Sequence, residues 1–184
     1  IDAAGAYADV GDPAQAARAA EQIATAIGEI GVLVNNAGVL IARPFEEMTL
    51  EDWDVTMTTN VRSLFLMTRA VLPAMRRRRE GTIVNVASLA GRNGFAGGTA
   101  YSASKHAVLG FSRSLMLEVR KDNVRVIAIC PGSVDTALLQ GQPMLQSDPT
   151  RILRPEDVAE TILHALRLPA RATVSEVDIR PTNP

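Results

Sequence analysis

Three short apolar runs constrain the fold of this chain more than any other feature. They are VLVNN (32–36), TIVNVAS (82–88) and VRVIAI (124–129). Continuous apolar runs of this length are typical of strands that are buried on both faces. The stretches between them are long enough for helices, which predicts βαβ units. We therefore expect a single α/β domain over residues 1–184, a three-layer sandwich with helices on a doubly wound parallel sheet.

Local signals in the sequence place the helices. Asp12 is a good cap for a helix that has Pro13 at its first position and continues to about residue 27. Thr49 begins a second helix, with Glu51 and Asp52 in its first turn, and this helix reaches about residue 77. The other predicted elements are strands at 5–10 and 174–179, helices at 99–120 and from residue 155, and loops at 91–98 and 133–153.

The composition excludes several classes of function. The formal net charge of −1 gives no overall field that would attract nucleic acid or an anionic membrane. One cysteine, Cys130, and two histidines argue against a disulfide framework and against a metal site, and Cys130 is interpreted as structural. No apolar run reaches the roughly 18 residues of a membrane span, and no signal-peptide pattern is present. We expect a cytoplasmic protein.

The stretch GGTAYSASKHAVLGFS (97–112) places Tyr101 four residues before Lys105, on one face of a predicted helix. Two interpretations are open: an ordinary amphipathic surface pair, or a chemical pair. A free tyrosine has a pKa of about 10, and a nearby ammonium lowers it, which would make a general acid/base near neutral pH. Ser88 ends a predicted strand, and its hydroxyl would steady a carbonyl or alkoxide oxygen beside the phenol.

Several motifs occur together in a fixed order: NNAG (35–38), Asn60 in TTNV, Ser88, YSASK (101–105) and PGSVDT (131–136). On these motifs, which extend over nearly the whole chain, the sequence resembles the short-chain dehydrogenase/reductase family. The resemblance implies a Rossmann-like fold. Within the family the chain looks like the 3-oxoacyl-carrier-protein reductases, and its tail LPARATVSEVDIRPT is similar to the 3-hydroxy acid dehydrogenases.

The resemblance implies a catalytic role for four residues. Tyr101 would be the general acid/base that exchanges a proton with the substrate oxygen, while the nicotinamide carries the hydride. Lys105 would lower the tyrosine pKa and bind the nicotinamide ribose. Ser88 would orient the substrate carbonyl, and Asn60 would hold a water that links Lys105 to solvent. The implied reaction interconverts a secondary alcohol and a ketone.

The resemblance also implies a cofactor, NADP or NAD, a small-molecule substrate, no metal, and a homotetramer or homodimer. The assembly would pack the helices at 49–77 and 99–120. A stripe of Val108, Phe111 and Leu115 fits such an interface, but it fits a core face equally well. The residues expected to contact the cofactor are Asp9, Val10, Asn36, Ala37, Gly38, Tyr101, Lys105, Pro131, Gly132, Val134 and Thr136.

The sequence departs from the family in one respect. The family begins with a strand, a TGxxxGxG turn, a helix and a second strand, and the chain contains none of these. We therefore expect it to be part of a longer protein, with about 50 residues more. The choice between NADP and NAD stays open without that segment. Two alternatives also remain: a non-catalytic dinucleotide-binding regulatory protein on the same fold, and an epimerase or dehydratase of the wider family.

Overall fold

A four-stranded parallel sheet forms the centre of the computed structural model, which describes residues 3–142, 144–145 and 148–182. Each strand pairs with the next one along the chain, and Asn35 lies beside Asn85 in the register. Because all four strands are parallel, their carboxyl ends meet at one edge of the sheet, where ligands bind in folds of this type. The strands are β1 (Val32–Asn35), β2 (Gly81–Val86), β3 (Val124–Pro131) and β4 (Glu176–Ile179).

The helices begin where the local signals predict. The Asp12 carboxylate accepts a hydrogen bond from the amide of Gln15, and Thr49 forms a capping box with Asp52. The second predicted helix consists of two α-helical parts that are joined by a π-helical turn, Thr58–Arg62. The α-helices are α1 (Pro13–Ile27), α2 (Leu50–Met57), α3 (Ser63–Arg78), α4 (Thr99–Val119), α5 (Ala137–Gln140) and α6 (Pro155–Leu166).

Helices cover both faces of the sheet, which confirms the predicted three-layer α/β architecture. On one face Ile83 and Val126 pack against residues of α3 and α4, such as Met75 and Leu115. On the other face, side chains of β2 and β3 pack against Ala165 and its neighbours on α6. Successive strand residues point to opposite faces, so the continuous apolar runs supply both cores.

The strand predicted at 5–10 is wrong. Residues 5–9 have no regular secondary structure, and Tyr7 is fully exposed. A strand needs the backbone groups of a neighbour, and within the described part of the chain no strand lies beyond β1. The outer edge of β1 is accordingly open. Val32 and Val34 are 45% and 43% exposed, so the prediction that VLVNN is buried on both faces is wrong for β1. The reason is that, among the described residues, the cluster around Ala165 of α6 covers β2, β3 and β4 but does not reach β1.

The apolar stripe on α4 belongs to the core of the chain itself. Val108 and Leu115 are buried, and Phe111 packs against the clusters that contain them. The structure thus decides between the two interpretations that the sequence left open. Other apolar side chains, including Phe65 on α3 and Leu117 on α4, are exposed.

A chain of polar side chains, here called the polar ladder (Asn35, Thr68, Asn85 and Ser112), lies between the sheet and the helices α3 and α4; Asn35 is half-buried and the others are buried. The Asn35 amide donates to the Thr68 hydroxyl at 3.3 Å and to the Asn85 side-chain oxygen at 2.8 Å. The Asn85 amide donates to the Ser112 hydroxyl, also at 2.8 Å. These bonds tie α3, β1, β2 and α4 together without any charge.

The segment predicted as a loop at 133–153 contains one short helix, α5, which the aperiodic sequence did not predict. Positions 143, 146 and 147 of that predicted loop lie outside the described residues. Cys130 is fully buried, and burial raises the pKa of its thiol to about 11.

The described ranges hold neither a candidate membrane span nor a candidate metal centre. Within them no helix is both long and apolar enough to cross a bilayer. Nor do three or more His, Cys, Asp or Glu side chains come together there in a way that would hold a metal ion.

Candidate active site

Tyr101 and Lys105 lie on the first turns of α4, at the carboxyl edge of the sheet. The Lys105 ammonium is 5.6 Å from the centroid of the Tyr101 ring. Lys105 is buried, and its ammonium donates to the carbonyl of Val86, the last residue of β2, at 2.9 Å. The pair therefore faces inward, toward the strand ends, and is not a solvated surface pair.

Ser88 reaches the same region from the other side. It lies two residues beyond β2 and caps a single 3-10 turn, Leu89–Gly91. Its hydroxyl accepts from the amide of Ala90 at 3.1 Å and donates to the Pro131 carbonyl at 3.4 Å. The Ser88 side chain also acts on the Tyr101 phenol, whose pKa it lowers. The structure thus brings together the two hydroxyls that the sequence analysis paired.

The electrostatics differ from the sequence-based expectation. Burial raises the pKa of the Tyr101 phenol above its ordinary value, and the interaction with Ser88 opposes that rise only in part. We predicted a lowered pKa from the ammonium of Lys105; that direction is wrong here, because loss of solvent outweighs the other effects. The same burial lowers the pKa of Lys105 to about 8. Both groups are therefore driven toward their neutral forms.

Asn60 lies in the π-helical turn between α2 and α3. Its side-chain oxygen accepts from the amide of Val39 at 2.8 Å, and its amide donates to the Val39 carbonyl at 2.9 Å and to the Ser104 hydroxyl at 3.0 Å. Asn60 therefore joins the loop after β1 to α4. Single π-helical turns inside helices often occur at functional sites, and this one places a polar residue at the strand ends.

Ser104 is a site residue that the sequence analysis missed. It is fully buried in α4, where it accepts from Asn60 and donates to the carbonyl of Tyr101 at 2.7 Å. The sequence carried a weak signal, a serine three positions after the tyrosine on the same helix. Serine in a helix is common enough that spacing alone does not single it out.

Two glycines allow the backbone to approach Lys105. A Cβ atom on Gly38 would lie 3.3 Å from the Asn60 side-chain oxygen and 3.8 Å from the Lys105 nitrogen. A Cβ on Gly91 would lie only 2.7 Å from the Lys105 carbonyl oxygen. Gly91 therefore lets the turn that follows Ser88 lie flat against α4, and any side chain there would push the two apart.

The residues expected to contact a cofactor are only partly brought together. Val10, Asn36, Ala37 and Asn60 line a cavity of about 120 Å³ at the end of β1. The Asp9 carboxylate accepts from the Gly11 amide at 2.8 Å, so it also shapes its own turn.

The four predicted cofactor residues from the end of β3 onward are not among the residues that line this cavity. Pro131 ends β3 beside Ser88, and the Gly132 amide donates to the Ile179 carbonyl. Val134 forms a parallel bridge with Leu153. The Thr136 hydroxyl donates to the Val134 carbonyl at 3.4 Å.

A comparison with protein families agrees with this geometry. A family model described as short chain dehydrogenase matches residues 1–144. The chain belongs to the short chain dehydrogenase family. The matched range contains β1 to β3, the turn after Ser88 and the whole of α4.

Curated proteins of similar sequence include reductases. The chain is 43% identical over 142 residues to a putative ketoacyl reductase of the monensin polyketide synthase from Streptomyces virginiae. That match covers 76% of this chain and 54% of the relative. It is 35% identical over 162 residues to a 3-oxoacyl-(acyl-carrier-protein) reductase of Thermotoga maritima, with 84% and 66% covered. The chain thus spans between about half and two thirds of the length of these relatives.

Solved structures of short chain dehydrogenases superpose well on the chain. One is the closed form of a serine dehydrogenase complexed with NADP⁺, with a TM-score of 0.87 and 33% identity. The match covers 96% of this chain and 75% of that one. The likeness agrees with the Rossmann-like sheet and helices described above.

Proposed function

We propose that the protein is an NAD(P)-dependent oxidoreductase that interconverts a secondary alcohol and a ketone, with Tyr101 as general acid/base. The convergence of Ser88, Tyr101 and Lys105 at the carboxyl ends of the strands is the observation that carries this proposal. Because the buried phenol holds its proton at neutral pH, it is ready to donate that proton to a carbonyl oxygen. In the reverse direction the phenolate accepts the proton of the alcohol.

The other site residues would orient and stabilise the reacting groups. The Ser88 hydroxyl would donate a hydrogen bond to the substrate oxygen as negative charge develops on it. Lys105 would hold a cofactor hydroxyl with the ammonium hydrogens that its bond to Val86 does not use. Asn60 would keep the loop at Val39 and the helix α4 in register.

The residues at the strand ends fit a dinucleotide. Because Gly38 has no Cβ, space remains beside Asn60 and Lys105 that a side chain would partly fill. A cavity close to Asn60 is lined by Val10, Asn36 and Ala37. A nicotinamide cofactor held by these residues would supply or accept the hydride, which no side chain does. We favour NADP, since related structures hold it. The ketoacyl reductase relatives favour a 3-oxoacyl thioester as substrate.

We further propose a homotetramer or homodimer in the cytoplasm. Exposed apolar side chains on α2, α3 and α4, namely Trp53, Phe65 and Leu117, support an interface on this side. Light scattering of the purified protein tests the assembly, and a monomer at micromolar concentration would contradict it.

The substitution Tyr101→Phe tests the proposed reaction. It removes the proton donor but keeps the ring, so we expect turnover of a ketone with NADPH to fall about 10²- to 10⁴-fold. Binding of NADPH, measured by fluorescence titration, is expected to stay within a factor of about three. Tyr7→Phe is the matched control, because Tyr7 is fully exposed.

Two outcomes would contradict the proposal. Turnover that survives in Tyr101→Phe would assign the proton transfer to another group. NADPH binding by the unsubstituted protein, with no turnover on a panel of ketones, 3-oxoacyl thioesters included, would favour the non-catalytic alternative.

A further inference from the structure

Arg92 makes a set of ion pairs that the proposed chemistry does not use. It follows directly after the turn Leu89–Gly91, and its guanidinium reaches across to the edge strand β4. One nitrogen, Nη1, lies 2.5 Å from Oε2 of Glu176. Nε and Nη2 both lie within 3.1 Å of Oδ1 of Asp178. One arginine thus holds two carboxylates of the same strand face.

Glu176 also contacts α4, the helix that carries Tyr101. Its carboxylate also accepts from Arg113 on α4, with Nε–Oε1 at 2.6 Å and Nη2–Oε2 at 3.1 Å. Glu176 is 18% exposed and Arg92 27%, so water screens this contact less than it screens a fully exposed pair. Charge-assisted, bidentate contacts of this kind also fix geometry. The bridge Arg92–Glu176–Arg113 therefore sets the distance between the turn and α4.

The turn between Ser88 and Arg92 is short and rigid. The Ala90 amide donates to the Ser88 hydroxyl, and the Gly91 amide donates to the Ser88 carbonyl at 2.9 Å. The Arg92 amide donates to the Leu89 carbonyl at 2.9 Å. Gly91 lies flat against the Lys105 carbonyl. Because the segment has little internal freedom, a shift at Arg92 displaces Ser88.

We propose that Arg92 is a positioning residue that sets the Ser88 hydroxyl against the Tyr101 phenol through its contacts with Glu176 and Asp178. This inference rests on the proposed oxidoreductase function. It predicts that loss of the guanidinium lowers turnover through Ser88, without a direct effect on the cofactor. Misplacement of a catalytic group by about 1 Å is enough to slow a reaction about 100-fold.

The test is a double-mutant cycle between Arg92→Met and Ser88→Ala. We expect Arg92→Met to lower kcat about tenfold, with the NADPH dissociation constant unchanged. Arg92→Lys, which keeps a charge but reaches one carboxylate at a time, is expected to restore part of that loss. In the Ser88→Ala background, Arg92→Met is expected to cost no further activity, because there is no hydroxyl left to position.

Arg180→Met is the matched control. Arg180 also pairs with Asp178, at 3.6 Å, but is more exposed, and within the described residues it has no hydrogen bond or ion pair with the turn. Its loss is expected to leave kcat unchanged. Thermal unfolding of every variant shows whether it is folded. If Arg92→Met is not folded, the partial activity expected of Arg92→Lys tests the inference in its place.

Two results would overturn the inference alone. Either Arg92→Met leaves kcat unchanged while Ser88→Ala and Tyr101→Phe lower it, or Arg92→Met costs the same factor with and without the Ser88 hydroxyl. A purely structural role would give the second result. Full turnover in both Ser88→Ala and Tyr101→Phe would instead overturn the proposed function, and this inference with it.

Discussion

The polar ladder and the strand-end cluster, which consists of Ser88, Tyr101 and Lys105, are both polar and at least half-buried, yet they differ in charge. In the ladder, neutral amides and hydroxyls bond to one another, and Ser112 closes the chain on the Val108 carbonyl at 2.7 Å. The strand-end cluster contains an ammonium, on Lys105, and in the described part of the chain Val86 is its one hydrogen-bond acceptor. A closed neutral network stabilises a fold. A buried cation with hydrogens to spare is suited to bind and to move protons.

The largest expected effect is on activity at the cluster. Lys105→Met removes the buried ammonium but keeps most of the apolar stem, and we expect ketone turnover to fall about 100-fold or more. The matched control is Lys121→Met, which removes an exposed lysine of the following 3-10 turn. Steady-state kinetics with NADPH measure both. If the two variants are equally active, the cluster has no more chemical role than the ladder.

The next effect concerns stability at the ladder. Asn85→Ala removes one of two hydrogen-bond partners from each of Asn35 and Ser112, which keep Thr68 and the Val108 carbonyl. The loss of a partner by a buried polar group costs about 1–3 kcal/mol. We expect urea unfolding to show a loss of this size, while turnover per folded molecule stays within a factor of two. Asn93→Ala, at an exposed position, is the control. A large loss of turnover by folded Asn85→Ala would remove the distinction between the two regions.

A third prediction concerns the pH dependence of stability, which is expected to differ between the strand-end cluster and the ladder. In the folded protein burial lowers the pKa of Lys105 from 10.5 to about 8, so the folded state loses this proton at lower pH than the unfolded state. The penalty for burying the ammonium is therefore complete below pH 8, and it disappears as the pH rises to 10.5. Relative to Lys105→Met, the unsubstituted protein is expected to gain stability across that window.

Denaturant unfolding at several pH values measures this difference. The comparison with Lys105→Met is needed because the pKa of the Cys130 thiol and of the Tyr101 phenol are both raised, which lowers stability at high pH in both proteins. A difference that stays constant between pH 8 and 10.5 would contradict the prediction. No such dependence is expected for Asn85→Ala, since the ladder holds no titratable group.

The smallest expected effect lies at the rim of the cluster. The Gln142 side chain accepts from the Ala42 amide at 3.0 Å and donates to the Leu40 carbonyl at 2.7 Å, which fastens the segment after α5 to the loop after β1. Gln142→Glu keeps the acceptor but loses the donor. We expect KM for the ketone to rise a few-fold with kcat unchanged, and more so for Gln142→Ala. Kinetics of both variants test this, and a fall in kcat alone would contradict it.

Much of the fold was predictable because its signals are local. The starts of α1 and α2 follow from the caps at Asp12 and Thr49, whose partners lie within three residues. The buried strands β2 and β3 follow from composition alone, whereas the burial of β1 on both faces does not hold. The strand predicted at 5–10 failed for the opposite reason, since a strand depends on a partner elsewhere in the sheet.

The site was predictable in part for the same physical reason. The spacing of Tyr101 and Lys105 determines that they share a helical face, and the glycine-rich loop after Ser88 allowed the two hydroxyls to meet. The direction of the tyrosine pKa did not follow from spacing, because it depends on burial. Arg92 and Gln142 were missed because their partners lie 86 and 102 residues away along the chain.

The π-helical turn Thr58–Arg62 has a consequence for how the site is encoded. A turn closed by i→i+5 bonds holds one residue more than a regular helical turn. Deleting one residue there would let an unbroken α-helix form, and the remaining residues of the turn would shift by one helical position, about 100° around the axis. Asn60 would then swing away from Val39. The position of Asn60 thus depends on the number of residues in this turn as well as on their identity.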